Sequence, residues 1–371
     1  MAAQQPENVT QPEEQRANFI GRVQEQRQFR VALQGLLVHQ HRWRDLAYLQ
    51  GADFDPDQAP GDGSYACIFL PHGIGGIGKS WLARRCLILA AEMDSDPAIL
   101  TLYDDVSLGS PVLEPVHLLD RLSNHLLSAG YEAEIAPCRQ AIADTPGIIE
   151  RVGRYQAESR ERWNELFSTA KGLVTQEAQA PPQLPKQTSP TPEETVLAKA
   201  YDLLMEQMQQ EGKLTPDEAN LFRHPAAAQA AKLVAGLKRI ARRRPVVIAL
   251  DNLEVIVPLE PFLRDHLVLP TNNAPIIWIL SGRYNLADER LVEVNGVKQD
   301  YKGYRDLLGE NPPVVWDMSL FSDADLREYL ETEAERREVV LEIDEALIDA
   351  VKSTSSGVPL VVEMVADALF S

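Results

Sequence analysis

The stretch HGIGGIGKSWLA, His72 to Ala83, carries the strongest signal in this chain of 371 residues. Its glycines lie within six positions, Gly73 to Gly78. Glycine loses more backbone entropy on folding than any other residue, so such a cluster needs a local reason. Gly73, four further residues and then Gly78-Lys79-Ser80 fit the pattern GxxxxGK[ST] at every required position. The spacing therefore predicts a loop that binds phosphate.

The flanking sequence predicts the strand and the helix that such a loop connects. YACIFL, Tyr65 to Leu70, is a short apolar run typical of a buried strand, and the segment from Ser80 to Met93 is typical of a helix. We expect the backbone N–H groups of Gly75 to Lys79 to face the phosphates, where the helix N-terminus adds partial positive charge. The alternative is a glycine-rich turn that carries a lysine by chance.

Two side chains of the motif carry specific expectations. Lys79 is expected to reach the β- and γ-phosphates of a nucleotide, and Ser80 is expected to bind Mg²⁺. Ile77 and Trp81, inside and just after the motif, are also placed at the nucleotide.

A second candidate site lies in VVIALDNLE, Val246 to Glu254. Val246 to Leu250 is a continuous apolar run, as expected for a central parallel strand, and Asp251 follows it directly. Open α/β sheets bind ligands outside the carboxyl ends of their strands, so we expect Asp251 to hold Mg²⁺, usually through water. Glu254 is a candidate to orient or deprotonate the attacking water; a solvated residue at a strand-to-helix turn is the alternative.

A third candidate lies in APIIWILSGR, Ala274 to Arg283. Ile276 to Leu280 predicts another buried strand, and Arg283 stands just beyond its carboxyl end. The guanidinium of Arg283 offers a fork of donors that fits a γ-phosphate. A surface arginine paired with an acid is the alternative.

The remaining segments complete an α/β pattern. Pro97 to Val106 and Val314 to Trp316 predict two more strands, so the sheet is expected to hold five. Between about residues 130 and 225 the chain becomes polar and helical. The Pro-rich segment Gln179 to Glu194 predicts a mobile linker within this insertion.

Several helices have recognisable start signals. Thr191 and Thr215 are each followed by proline, with glutamate at the third position after the threonine, which predicts capped helix starts. Ser322 is expected to cap another helix, and Pro359 stands where a final helix can begin.

The composition is that of an ordinary globular chain, with 44% hydrophobic and 25% charged residues. The net charge of −19 argues against nucleic-acid binding through the whole surface, although a local basic patch remains open. Cys67, Cys86 and Cys138 form no CxxC pair, which favours a reducing cytoplasm without disulfides or a zinc site. No apolar stretch is long enough to span a bilayer, so no membrane partner is expected. Residues 1–17 lack a signal-peptide pattern and are expected to be a flexible tail.

Five motifs, in this order, resemble those of the STAND ATPases. These are signal-transduction switch ATPases that include the NB-ARC proteins of apoptosis and plant immunity. FIGRVQE, Phe19 to Glu25, is similar to the family's hhGRxxE segment, which lies against adenine. The glycine loop, VVIALDNLE, IIWILSGR and GVPL are similar to the phosphate-loop, metal, sensor and GxP motifs. The LDNLE form resembles bacterial members, and the resemblance covers Asn18 to about Phe370 apart from the insertion.

The resemblance implies a fold and a set of site residues. It implies a three-layer α/β P-loop NTPase of the ASCE/AAA+ type over residues 18–321, with a parallel five-stranded sheet and a small helical lid over residues 322–371. The expected nucleotide-binding residues are Ile20, Gly21, Arg22, Gly73, Gly75, Gly76, Ile77, Gly78, Lys79, Ser80, Trp81 and Pro359. The expected catalytic residues are Lys79, Asp251, Glu254 and Arg283, and the expected metal ligands are Ser80 and Asp251.

The resemblance also implies an ATP/ADP-binding switch that self-associates on activation and is reset by Mg²⁺-dependent ATP hydrolysis. Two departures from the family matter. Asn252 replaces the second acid of many relatives, so hydrolysis is expected to be slow. The sequence also stops soon after GVPL, where the family continues into a winged helix and sensor repeats, so sensor and effector modules are expected elsewhere on a longer chain.

Two other functions compete with a hydrolysing switch. One is a scaffold that keeps ADP bound and never hydrolyses ATP. The other is a motor ATPase related to origin-binding AAA+ proteins, which share the hhGRxxE start; rapid turnover stimulated by DNA would be its mark, and the acidic balance disfavours it.

Overall fold

The computed structural model describes residues 22–50, 67–109, 111–177, 191–294, 297–308 and 312–370. The predicted tail of residues 1–17, together with Ile20 and Gly21, lies outside the described residues, as does the part of the predicted Pro-rich linker before Thr191. The strands are β1 (Ile68–His72), β2 (Leu100–Asp105), β3 (Val246–Asp251), β4 (Ile276–Leu280), β5 (Arg290–Val294), β6 (Val297–Tyr301) and β7 (Val314–Asp317). The α-helices are α1 (Val23–Gln50), α2 (Lys79–Ala91), α3 (Pro115–Ser128), α4 (Glu132–Glu158), α5 (Arg160–Glu177), α6 (Pro192–Gln210), α7 (Pro216–Arg223), α8 (Pro225–Arg243), α9 (Glu260–Leu263), α10 (Tyr304–Leu308), α11 (Asp323–Arg336), α12 (Glu345–Ser355) and α13 (Pro359–Phe370).

The chain is an α/β protein whose central sheet has five parallel strands in the order β2-β3-β4-β1-β7. Every residue of β3 and β4 is buried, as their continuous apolar sequences predict for strands covered on both faces. Because all the strands run the same way, the segments that follow β1, β3 and β4 meet at one edge of the sheet. The glycine loop follows β1, Arg283 lies just after β4, and Asp251 is the last residue of β3.

Aromatic side chains pack α1 against β1 and β7 of the sheet. The ring of Phe69 on β1 lies 5.3 Å from that of Phe29 on α1 and 4.8 Å from that of Trp316 on β7. Phe29 and Phe69 are fully buried and Trp316 nearly so. This contact joins the first described helix to the last strand of the sheet through the strand that leads into the glycine loop.

The strands differ from the prediction in two places. β2 begins at Leu100 rather than at Pro97, since proline has no N–H to donate to the strand ladder. The antiparallel pair β5 and β6 was not predicted. Its sequence mixes charged and β-branched residues over only five positions per strand, too short a pattern for period-two alternation to stand out.

The chain divides into two compact units, one of residues 1–135 and 233–371 and the other of residues 136–232. The second unit falls within and just beyond the predicted insertion. It contains helices of its own, as expected, and the capping boxes at Thr191 and Thr215 are confirmed. Its apolar core was not predicted; the buried residues of that core are Ala141, Ile148, Val152, Tyr155, Leu204, Met205, Met208, Leu214, Ala219, Leu221 and Ala228.

The C-terminal helices α11, α12 and α13 belong to the same compact unit as the sheet. They share a small apolar core that includes Leu330, Val351 and Val362. The predicted helix starts at Ser322 and Pro359 are confirmed, and the Ser322 side chain accepts a hydrogen bond from the Asp325 amide.

Cys67, Cys86 and Cys138 are all buried. Burial raises the pKa of Cys67 to about 12, so this thiol stays protonated at neutral pH. Among the helices of the described residues, none combines the length and apolar character needed to cross a membrane.

We predict that the second unit depends on its own core. Leu204 is fully buried in that core, whereas Leu197, two turns earlier on α6, is 44% exposed. Leu204→Ala should lower the free energy of unfolding of this unit by about 2–5 kcal/mol, because it removes buried methyl groups and leaves a cavity. Leu197→Ala should change it by less than about 0.5 kcal/mol. Denaturant unfolding followed by residue-resolved hydrogen exchange measures both, and equal effects would show that this core does not hold the unit together.

Candidate functional site

The glycine loop has a backbone that other residues adopt only with strain. Gly73, Gly76 and Gly78 have φ values of 148°, 77° and 94°. Left-handed conformations cost non-glycine residues about 1–2 kcal/mol. The glycines at these positions therefore let the chain turn sharply from β1 into α2, and Gly78 immediately precedes the first residue of that helix.

The side chain of Lys79 folds back over this loop. Its Nζ donates to the carbonyl oxygens of Gly73, at 2.8 Å, and Ile74, at 2.9 Å. Lys79 is only 6% exposed. Burial lowers the pKa of its ammonium, although the nearby carboxylates of Glu254 and Asp251 oppose this shift. The loop thus holds a partly desolvated cation that a bound anion would stabilise.

Asp251 is fully buried at the end of β3. Its Oδ1 accepts hydrogen bonds from the Ser281 hydroxyl, at 2.6 Å, and from the backbone N–H of Asn252, at 3.0 Å. Its Oδ2 accepts from the Tyr103 hydroxyl at 2.9 Å. Burial, followed by the charge of Asp251, raises the pKa of Tyr103, so its proton stays in this hydrogen bond. The carboxylate is therefore held in one orientation by β2, β3 and β4.

Asn252 links the ends of β2 and β3. It has a left-handed backbone with φ 61°, and its Nδ2 donates to Asp105 Oδ1, at 2.9 Å, and Ser107 Oγ, at 3.3 Å. Burial alone would raise the pKa of Asp105, but hydrogen bonds from Asn252 and Ser107 bring it below its usual range. Asp105 and Ser107 were not among the predicted site residues. Asp105 pairs with Asp251 across neighbouring strands, and the sequence signal for it was its position near the end of the predicted strand Pro97 to Val106.

The structure brings Glu254 and Arg283 together as an ion pair. Arg283 Nε donates to Glu254 Oε1 at 3.0 Å, and the Arg283 backbone N–H donates to Oε2 at 3.2 Å. The Arg283 side chain is 62% exposed and that of Glu254 17%. Arg283 is therefore paired with an acid, as the surface-arginine alternative expects. That acid is Glu254, which is itself a predicted catalytic residue.

A cavity of about 610 Å³ opens above the loop. Most of the predicted site residues within the described part of the chain line it: Arg22, Gly75, Gly76, Ile77, Gly78, Lys79, Ser80, Trp81, Glu254, Arg283 and Pro359. Gly73 and Asp251 do not line it. Asp251 is covered by its hydrogen-bond partners, and Gly73 packs against Met318 at the end of β7.

Besides the predicted Pro359, the C-terminal helices supply cavity-lining residues that were not predicted. These residues form a wall of the cavity and lie at helical spacing on two facing helices and on the segment before them: Phe321, Tyr329, Glu333, Arg336 and Arg337 from α11 and its flanks, and Leu360, Glu363 and Asp367 from α13. The one signal in the sequence was the four-residue spacing of Tyr329, Glu333 and Arg337, repeated in Pro359, Glu363 and Asp367.

Charge pairing joins the two helices of this wall. Glu333 is 4% exposed and accepts hydrogen bonds from Arg336 Nη2, at 2.6 Å, and Arg337 Nε, at 3.1 Å. Arg337 also donates to Asp367 on α13. Burial, then the carboxylates of Asp367 and Glu333, raise the pKa of Glu363.

Hydrogen bonds tie α13 to the glycine loop and tie Arg22, which precedes α1, to Ser319. The Leu360 amide donates to the carbonyl oxygen of Gly76 at 3.1 Å. Arg22 has a φ of 55°, and its guanidinium donates to the Ser319 hydroxyl at 3.1 Å. Burial lowers the pKa of Arg22, while Glu25 and Asp325 oppose this shift. Loop, helix and N-terminal arginine therefore surround one cavity.

A scan against protein-family models gives no match to this chain, and a search of curated proteins finds no similar sequence. The function is therefore proposed from the sequence motifs and from the geometry of the site.

We predict that Gly76 is the point at which the loop accommodates α13. A Cβ at Gly76 would lie 3.2 Å from Leu360 Cβ and 3.3 Å from Val358 Cγ1, whereas one at Gly78 would have nothing within 4 Å. Gly76→Ala and Gly78→Ala share the strain of positive φ, but only Gly76→Ala also crowds α13. Overpacking costs about 1–3 kcal/mol, so exchange of the Leu360 amide should become about tenfold faster in Gly76→Ala alone. Equal exchange in both variants, measured by NMR, would contradict this contact.

Proposed function

We propose that this chain is the nucleotide-binding module of a STAND-type switch, which binds ATP or ADP with Mg²⁺ and hydrolyses ATP slowly. One observation carries the proposal. The GxxxxGKS loop, with its left-handed glycines and buried Lys79, opens into a cavity that Arg283 and Pro359 also line. A cavity of this size lies within the range of small-molecule and cofactor sites.

The order of the strands supports a P-loop NTPase of the ASCE type. β4 lies between β1, which leads into the glycine loop, and β3, which ends at Asp251. This arrangement leaves the carboxyl end of β4, with Arg283, between the phosphate loop and the expected metal site. Three-layer α/β proteins of this kind bind their ligands at that edge of the sheet.

Phosphate binding would involve the ammonium of Lys79, which now donates to carbonyl oxygens of its own loop. The N–H groups of Gly75 to Lys79 would surround the phosphate, and the N-terminus of α2 would add partial positive charge. Lys79 would exchange two carbonyl partners for phosphate oxygens. A charge-assisted hydrogen bond is stronger than a bond to a neutral carbonyl, so the exchange favours a bound anion.

The residues present fit Mg²⁺ if the nucleotide supplies part of its shell. The described residues contain no cluster of three or more His, Cys, Asp or Glu side chains arranged to hold a metal. Ser80 and Asp251 would therefore need phosphate oxygens and water to complete an octahedral shell. Asp251 already accepts hydrogen bonds on both oxygens, so it would act through water. The bound ion would neutralise phosphate charge.

Asn252 supports slow hydrolysis. An amide takes no proton from water, and this amide is committed to Asp105 and Ser107. The same observation favours the second candidate, a scaffold that holds ADP without hydrolysing ATP. Steady-state phosphate release separates the two: a low but measurable rate supports the switch, and none supports the scaffold.

The remaining parts of the proposal rest on the resemblance to STAND proteins. Ile20, Gly21, Arg22 and Pro359 would contact adenine, and closure of the C-terminal helices over ADP would define the resting state. Self-association would accompany activation, with sensor and effector modules elsewhere on a longer chain. The buried thiols and acidic charge support a cytoplasmic module that binds neither membranes nor nucleic acid.

We predict that Lys79→Ala weakens binding of Mg²⁺–ATP by roughly tenfold to a hundredfold, because it removes a charge-assisted contact to phosphate. Lys171→Ala, on an exposed face of α5, is the matched control and should leave affinity unchanged. Titration calorimetry gives both dissociation constants. Equal ATP affinity in Lys79→Ala and wild type would defeat the assignment of the phosphate loop.

We predict that Pro359→Gln increases the dissociation rate of ADP by about tenfold and weakens ADP binding more than ATP binding, because it removes a contact made in the closed state. Pro216→Gln changes a proline at the same helix position of α7, outside the cavity, and should have no effect. Displacement of a fluorescent ADP analogue measures the rates. Identical rates in wild type and Pro359→Gln would mean that α13 does not close the site.

A further inference from the structure

Both oxygens of Glu254 are engaged by one residue. Oε1 accepts from Arg283 Nε and Oε2 from the Arg283 backbone N–H. The carboxylate is thus committed to an ion pair in which the Glu254 side chain is only 17% exposed. A general base must accept a proton at the oxygen that faces the attacking water. The observed pairing works against that role.

The same pairing orients the guanidinium of Arg283. Its Nη2 lies 3.8 Å from the position that a Cβ on Gly75 would occupy, so the group extends towards the phosphate loop. The hydrogen bonds of Arg283 within the described residues use its Nε and its backbone N–H. Nη1 and Nη2 thus present the planar donor fork that suits an oxyanion.

Holding this fork in advance has an energetic consequence. A free arginine loses rotamer freedom when it binds phosphate, whereas one already fixed through Nε loses less. Glu254 also brings a negative charge near the loop, which would penalise an anion if its charge were not matched by Arg283. The Glu254–Arg283 pair therefore favours a ligand with a phosphate that can accept hydrogen bonds from Arg283 Nη1 and Nη2.

We propose that Glu254 is a positioning residue that holds Arg283 for a γ-phosphate, and that this pair sets the preference for ATP over ADP. The proposal rests on nucleotide binding at the phosphate loop. Glu254 acts on the ligand through Arg283, and the terminal phosphate is the part of the ligand that the pair distinguishes.

The test compares Glu254→Gln with Glu254→Ala. The Gln side-chain oxygen can still accept from Arg283 Nε, whereas its NH2 group takes the place of the oxygen that accepts from the Arg283 backbone N–H. Gln cannot act as a base, and Ala can neither accept a hydrogen bond nor act as a base. Dissociation constants for Mg²⁺–ATP and Mg²⁺–ADP are measured by calorimetry, and hydrolysis by single-turnover phosphate release. Arg283→Ala and the double variant Glu254→Ala/Arg283→Ala complete a double-mutant cycle.

If Glu254 acts by positioning, Glu254→Gln should keep the ATP-to-ADP affinity ratio within about threefold of wild type and lose no more in hydrolysis than it loses in ATP affinity. Glu254→Ala should reduce that ratio about tenfold by weakening ATP binding, with ADP binding unchanged. The double variant should be no worse than Arg283→Ala.

If Glu254 is instead a general base, Glu254→Gln should lower the hydrolysis rate about a hundredfold or more while ATP affinity is unchanged. That result overturns the positioning role and leaves nucleotide binding intact. An unchanged affinity ratio in Glu254→Ala also overturns it. Failure of wild type to bind either nucleotide would overturn the proposed function itself, and the positioning role with it.

Discussion

The cation of Lys79, buried over its own loop, is the feature on which the rest of the site depends. A lysine that is 6% exposed must have its charge matched by polar groups, and here the carbonyls of Gly73 and Ile74 and the charges of Glu254 and Asp251 do so. Those carbonyls reach the ammonium because Gly73, Gly76 and Gly78 turn the chain with positive φ. The ammonium of Lys79 is therefore only partly satisfied by its present partners, and a phosphate would satisfy it better.

The second constraint is the approach of α13 to that loop. The bond from the Leu360 amide to Gly76 and the absence of a Cβ at Gly76 let a helix from the end of the chain contact a loop near its start. A ligand held by the loop would therefore also contact α13, and its affinity would depend on whether α13 is in place. This coupling is the physical basis on which a nucleotide could act as a switch.

The sequence predicted the parts that depend on local pattern. The glycine spacing, the apolar runs of β3 and β4 and the capping residues Thr191, Thr215 and Ser322 each reflect a constraint within a few residues, and the structure bears out the corresponding elements. Arg283 and Glu254 were each identified, but their pairing depends on how β3 and β4 align in space. The charged wall of α11 and α13, the β5–β6 pair and the core of the second unit also arise from long-range packing, which residue spacing alone does not specify.

We propose that one cavity binds an adenine nucleotide between the glycine loop and α13. Hydrogen exchange with and without Mg²⁺–ADP, followed at single amides, tests this binding most directly. We expect protection of the amides of Gly75 to Lys79 together with that of Leu360, because the ligand would engage the loop and favour closure of the helix. Unchanged exchange throughout the loop at saturating Mg²⁺–ADP, or protection confined to the unit of residues 136–232, would contradict it.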